Sequence, residues 1–176
     1  AVKLQDREGD TFATTVPTYV WDANATVLAV DVDMLPRPPF GDATEAAEAM
    51  RRLAATAHMV YLTRREVSQH PAVHDELAQA GYPDGPVLLW QRERWHVVPG
   101  RWRIPRIEVE ARLVSELPEL RQRLPGLRNG LCGSELAAKA FRDAGLEVLV
   151  VGDAAVPAEP AKRFASWQDL AERARP

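Results

Sequence analysis

Cysteine is almost missing from this sequence, since Cys132 is the only one among 176 residues. A single thiol excludes an internal disulfide and a metal cluster held by several thiolates. Long apolar runs are also missing, because no stretch approaches the roughly 20 residues of a membrane-spanning helix, and no secretory signal is visible. These absences favour a soluble protein, with the cytoplasm as the favoured compartment.

Excess positive charge is absent as well, because the formal net charge is -3. Without the basicity that marks nucleic-acid binders, we expect no nucleic-acid partner. Lysine occurs only at positions 3, 139 and 162, so nearly all cations are arginines. The arginines are interleaved with acidic residues, and we interpret their excess as coding bias. A hydrophobic content of 46% over this length is enough for one sizeable core.

The most informative stretch that is present runs from Thr26 to Asp33, where an apolar run ends in two aspartates separated by one residue. Such a run is typical of a buried parallel strand, whose carboxyl end faces the ligand crevice of an α/β sheet. Because side chains alternate along a strand, we expect Asp31 and Asp33 to point the same way. Two adjacent carboxylates indicate a nucleophile and acid/base pair, or a metal site. A strand ending in two solvated aspartates is the alternative.

Strand and helix signals alternate from residue 26 onward. Strands are predicted at 26–31, 58–63, 86–90, 127–132 and 147–152. Helices are predicted over the run that starts at Asp42 or Thr44, over 70–80, 108–123 and 134–144, and from Ser166. The sequence therefore predicts an α/β fold with a doubly wound parallel sheet of five strands in the order 5-4-1-2-3.

Two segments fall outside this alternation. Residues 1–22 predict a β-hairpin that packs on the main domain or ends an upstream β domain, since a lone hairpin is marginal in water. The α/β domain is then 23–176. Residues 91–106 predict an irregular excursion or a short hairpin. The tryptophans and arginines from Trp90 to Arg103 indicate either a phosphate, lipid-headgroup or nucleic-acid surface, or an insertion held by Trp packing.

Three motifs carry a resemblance to a known family. Asp31-Val-Asp33 closes the first strand, and Tyr61-Leu-Thr63-Arg64-Arg65 closes the second. Together they resemble the first two motifs of the haloacid-dehalogenase superfamily. The run Gly81-Tyr-Pro-Asp-Gly-Pro-Val-Leu-Leu89 narrows the similarity to the lipin-type phosphatidate phosphatase domain. The resemblance covers roughly residues 26–170.

The resemblance implies a phosphohydrolase acting on a phosphomonoester. Asp31 would attack phosphorus and form an aspartyl phosphate, and Asp33 would protonate the leaving alcohol and later activate water. Thr63, with Arg64 and Arg65, would bind the phosphate. Magnesium would bridge Asp31, the main chain at Asp33 and the phosphate. The implied ligand is a phosphorylated small molecule or a lipid headgroup.

Other positions depart from the family pattern. Met34-Leu35 stands where the family has Gly-Thr. The third-motif lysine is missing, and Arg112 lies nearest to its expected place. The fourth motif of the family supplies metal-binding Asp or Asn, but Gly133 and Ala137 stand at those positions.

These departures leave two function classes open. The first is a working magnesium-dependent phosphatase. The second is a degenerate relative that acts as a binding or accessory module. Cys132 is predicted to be a buried structural thiol, with an activated nucleophile as the alternative.

Overall fold

The architecture is seen in a computed structural model of the chain. The structure describes residues 2–5, 11–14, 18–39, 41–63, 70–89, 93–98, 106–111, 116–154, 156 and 161–174. Its strands are β1 (Val2–Gln5), β2 (Thr11–Thr14), β3 (Val27–Asp31), β4 (His58–Thr63), β5 (Val87–Leu89), β6 (Glu93–Val98), β7 (Arg106–Ala111), β8 (Leu127–Leu131), β9 (Glu147–Val151) and β10 (Lys162–Phe164). Its helices are α1 (Thr44–Ala54), α2 (His70–Gln79), α3 (Glu116–Arg123), α4 (Glu135–Asp143) and α5 (Trp167–Arg173).

A parallel sheet in the order β10-β9-β8-β3-β4-β5 forms the centre of the fold. The five predicted strands lie in the predicted order, with the first strand, β3, between β8 and β4. The prediction missed the sixth strand, β10. Its three residues, Lys-Arg-Phe, are too few and too polar to give an apolar run, and pairing with β9 alone defines them.

Two apolar cores cover the two faces of this sheet. In β3, Leu28 and Val30 face one core, which also contains the apolar sides of α1, α2 and α5. Val27 and Ala29 face the other core, which contains residues of α3 and α4. Every residue of β3 is buried, as expected for a central parallel strand. The sheet is therefore doubly wound, as predicted.

Local sequence signals mark several helix ends. Ser134 and Ser166 cap α4 and α5, because each hydroxyl accepts a hydrogen bond from the backbone N–H three residues later. Thr44 begins α1, and the Asp42 carboxylate accepts from its backbone N–H at 2.9 Å. Gly81 follows α2 with a φ of 78°, a conformation that glycine adopts without strain.

The prediction of a helix over 108–123 was wrong at its start. Residues 106–111 form β7, which pairs antiparallel with β6, and the helix α3 begins only at Glu116. The alternation of Ile107 and Val109 with Glu108 and Glu110 has the period of a strand. Pro118 does not break α3, because it lies in the first turn, where no intrahelical N–H bond is required. The hairpin alternative for the preceding excursion is confirmed.

The N-terminal hairpin is also present, with β1 and β2 antiparallel. Its second strand is described over Thr11–Thr14, and residues 18–20 are not in a strand. Among the described helices, none is both long and apolar enough to cross a bilayer.

Candidate active site

Asp31 lies at the carboxyl end of β3 and is 1% exposed. The strand stops there, and Asp33 belongs to a short 3-10 helix over Val32–Met34. The strand alternation from which their common direction was predicted therefore stops at Asp31. A backbone contact relates them instead, because the Asp31 carboxylate accepts a hydrogen bond from the Asp33 N–H at 3.1 Å. This contact fixes one Asp31 oxygen against the turn that carries Asp33, which is partly buried.

Thr63 ends the neighbouring strand β4 and is fully buried. The register pairs Asp31 with Leu62, so Thr63 lies one residue beyond the partner of Asp31 at the same edge of the sheet. The structure therefore brings the ends of the first two motifs to adjacent strand tips. Arg64, Arg65 and Arg112 lie outside the described residues, and their roles stay predictions.

Arg37 holds the segment that follows Asp33, and the sequence analysis did not single it out. It is buried, and its guanidinium donates to the Val32 carbonyl at 2.7 Å and to the Leu35 carbonyl at 3.1 Å. Its Nε also pairs with a Glu76 carboxylate oxygen at 3.0 Å. One cation thus closes the turn containing Asp33 and ties that turn to α2. A lone arginine in a proline-rich loop gives little sequence signal of such a role.

The Gly-Tyr-Pro segment after α2 supports the same turn from another side. The Tyr82 hydroxyl donates to the Pro36 carbonyl at 2.6 Å, and burial raises the pKa of Tyr82, which keeps this donor protonated. The Tyr61 hydroxyl donates to the Pro83 carbonyl at 2.8 Å. A Cβ at Gly85 would lie 2.4 Å from the Met59 carbonyl oxygen, so only glycine fits this close approach to β4.

Cys132 lies beside Asp31, on the other flank of β3. The register pairs Val30 with Leu131, which places the next residue of each strand side by side. Cys132 is fully buried, as predicted for a structural thiol. Burial, together with the nearby charge of Asp31, raises the pKa of this thiol from 9.0 to about 12. A thiol held protonated in this way is not an activated nucleophile.

The positions that would complete a cation site supply no side-chain oxygen. Gly133 follows Cys132, and Ala137 is fully buried in the first turn of α4. Across the described ranges, no group of three or more His, Cys, Asp or Glu side chains is placed to hold a metal ion. Magnesium prefers six oxygen ligands in octahedral geometry. The described residues beside Asp31 therefore do not fit the magnesium site that the family resemblance implies.

No protein family and no curated protein matches the sequence. Among solved structures, D,D-heptose 1.7-bisphosphate phosphatase from B. bronchiseptica, crystallised with magnesium and phosphate, aligns over 84% of this chain and 96% of its own. The TM-score is 0.54 and the identity 16%. This chain shares its α/β fold with that phosphatase.

A second similar structure is a proposed p-nitrophenyl phosphatase from Bacillus subtilis. It is 14% identical, with a TM-score of 0.32, and the alignment covers 80% of this chain and 55% of that chain. Only the first of these two structures, with the higher TM-score, shows the same fold as this chain. At such low identity the similarity extends to the fold and not to substrate or activity, and the narrower lipin-type resemblance stays a prediction.

Proposed function

We propose that this domain is a haloacid-dehalogenase-like module that binds the phosphate of a phosphomonoester and has weak or no hydrolytic turnover. The observation that carries the proposal is the combination at the tip of β3. Asp31 is buried and held against the Asp33 turn, while the neighbouring tip of β8 offers Cys132 and Gly133 in place of carboxylates.

Charge explains why binding and turnover separate in this proposal. Two carboxylates repel a phosphate dianion unless cations offset them. In a complete site a divalent cation supplies that offset. Here the cations that follow the second motif are Arg64 and Arg65, directly after Thr63, and Arg112 lies further along. Arginine binds phosphate through paired N–H donors and supports anion binding without a metal.

Any residual hydrolysis in this proposal uses the same two aspartates. Asp31 attacks phosphorus, and the bond to the leaving oxygen breaks as Asp33 donates its proton to that oxygen. Water, deprotonated by Asp33, then cleaves the aspartyl phosphate, which releases phosphate and restores the Asp31 carboxylate and the protonated Asp33. Without a divalent cation between the carboxylate and the phosphate dianion, Asp31 attacks phosphorus slowly, and we expect turnover far below the 1 to 1000 per second typical of enzymes.

Two measurements on the intact chain test the proposal. Titration calorimetry with inorganic phosphate, without metal, is expected to show binding that weakens in an Arg64→Ala/Arg65→Ala variant. An assay with p-nitrophenyl phosphate and excess magnesium is expected to show little or no turnover. Soluble short-chain phosphatidate in a parallel assay distinguishes a lipid headgroup from other phosphomonoesters.

The matched control for turnover is Asp31→Asn, which keeps the size of the side chain and removes its charge. Robust hydrolysis that this substitution abolishes would identify a working phosphatase and overturn the weak-turnover part of the proposal. Absence of phosphate binding to the unmodified chain would overturn the whole of it.

A further inference from the structure

Two departures from the family pattern meet in space at the tips of β3 and β8. Met34 ends the 3-10 helix after Asp31, and Gly133 follows the end of β8. A Cβ at position 133 would lie 2.7 Å from the Cβ of Met34, closer than real Cβ contacts come. The two positions are 99 residues apart in sequence, and nothing in the sequence couples them.

The contact cannot be relieved by a small rotation of the methionine. The clashing atom is the Met34 Cβ, which is attached to the backbone, while the Cγ lies 3.9 Å away. The Met34 side chain is partly buried and packs against the core formed by α1, α2 and β3. Relief would therefore require movement of the 3-10 helix, whose carbonyl at Val32 is bound by Arg37.

We infer that Met34 and Gly133 are a coupled pair that closes the cation position beside Asp31. This inference rests on the proposed phosphate-binding function, because it explains why turnover is lost while Asp31 and Asp33 remain. The Cβ of Met34 excludes any side chain at position 133, because it lies too close to the place of a Cβ there. Gly133 in turn offers no oxygen ligand, even if the methionine is made smaller.

The geometry also shows which change would reopen the position. If Met34 had no side chain, the nearest atom to a Cβ at position 133 would be its Cα at 3.7 Å, an ordinary van der Waals contact. A carboxylate at position 133 would then join Asp31 and Asp33 as a third acidic group at the strand tips. Three carboxylates with water suit Mg²⁺ or Mn²⁺ far better than two do.

The test is a set of substitutions in the full chain, with Mn²⁺ alone as the probe. Manganese binding is followed by the loss of its free electron paramagnetic resonance signal. We expect Met34→Gly/Gly133→Asp to bind Mn²⁺ at least about tenfold more tightly than the unmodified chain and either single variant. Met34→Gly/Gly133→Leu, which fills about the same space and offers no side-chain oxygen, is the matched control and is expected to stay near the unmodified chain.

Thermal unfolding tests the predicted clash between Met34 and a side chain at position 133. This test remains informative even if one of the metal-binding variants folds poorly. Gly133→Ala is expected to lower Tm by about 4 to 10 °C in the unmodified background, as overpacking does. In the Met34→Gly background the same substitution is expected to change Tm much less. Equal effects in both backgrounds would overturn the coupling.

The remaining outcomes are also decisive. Tight Mn²⁺ binding by the unmodified chain, a full gain in Gly133→Asp alone, or no gain in the double variant would each overturn the inference. These results are independent of phosphate binding, which is measured without metal on the unmodified chain. Failure of the proposed function and failure of this inference are therefore separate observations.

Discussion

At the scale of single residues, Cys132 shows how burial decides between a reactive and a structural thiol. Its folded-state pKa of about 12 lies above the 9.0 of an exposed thiol. Burial of the neutral thiol therefore contributes stability below about pH 9, and this contribution falls as the pH rises from 9 toward 12. The pH dependence of unfolding is thus expected to be steeper in this window for the native chain than for Cys132→Ala.

Thiol labelling gives a direct check of Cys132 at pH 8. With Ellman's reagent, labelling of the folded chain is expected to be on the order of a thousandfold slower than in urea, because only global opening exposes the sulfur. Labelling at the rate of an exposed thiol would contradict the described burial. Cys132→Ala, which lacks a thiol, supplies the background rate.

At the scale of elements, the cation Arg37 fastens the turn after β3 to α2. Arg37→Ala would leave the carbonyls of Val32 and Leu35 without this donor and would break the ion pair with Glu76. We expect the free energy of unfolding to fall by about 2 kcal/mol, a reduced figure because the Glu76 side chain is about one-third exposed and is readily solvated. Urea denaturation measures the change.

Two controls separate the parts of this connection. Glu76→Gln keeps an acceptor for the Arg37 Nε and is expected to cost less than about 1 kcal/mol. Tyr82→Phe removes only the hydroxyl that donates to Pro36, at a cost of about 1 kcal/mol. If Arg37→Ala proves as mild as these two, the turn does not depend on the buried guanidinium.

At the scale of the whole molecule, residues 18–22 lie between the N-terminal hairpin and the α/β domain, and two of them contact that domain. The Trp21 ring stacks on His58 with centroids 4.7 Å apart, and the Tyr19 hydroxyl donates to Asp84 at 2.9 Å. Trp21 also packs against the core under α3 and α4. The predicted boundary at residues 22 and 23 therefore falls directly after residues that contact the larger domain.

Two truncated chains test this boundary. A chain of residues 18–176 is expected to match the α/β domain of the full chain in stability. A chain of residues 23–176 is expected to lose about 1 to 2 kcal/mol, because partly buried aromatic surface and one hydrogen bond are removed. Circular dichroism with urea denaturation measures both. Equal stability of the two truncated chains would support residues 23–176 as the complete domain.

The sequence predicted the parts of the fold that repeat a simple pattern. Buried runs such as Val27–Asp31, and the helix start at Ser166, were correctly predicted because their signals are local and strong. The start of α3 was missed because helix-favouring glutamates at 108 and 110 obscured an alternation of period two. At the candidate site, Asp31 was predicted from its place at a strand end and Thr63 from the family resemblance, and the structure places both at adjacent strand tips.

The rest of the site depends on contacts that sequence spacing does not encode. Arg37 pairs with a glutamate 39 positions later in the sequence. Met34 and Gly133 meet because the segments that follow the neighbouring strands β3 and β8 lie side by side. The turn at Val32–Met34 also rotates Asp33 out of the strand alternation on which the sequence argument relied.

A Cβ at position 133 would lie 2.7 Å from the Met34 Cβ, and this limits the order in which mutations can accumulate. A carboxylate introduced first at position 133 meets the methionine and destabilises the fold. The opposite order passes through Met34→Gly, which gives no ligand and no gain of its own. A library that varies one position at a time therefore contains no single substitution that improves metal binding. A library that varies both positions together contains the Met34→Gly/Gly133→Asp variant.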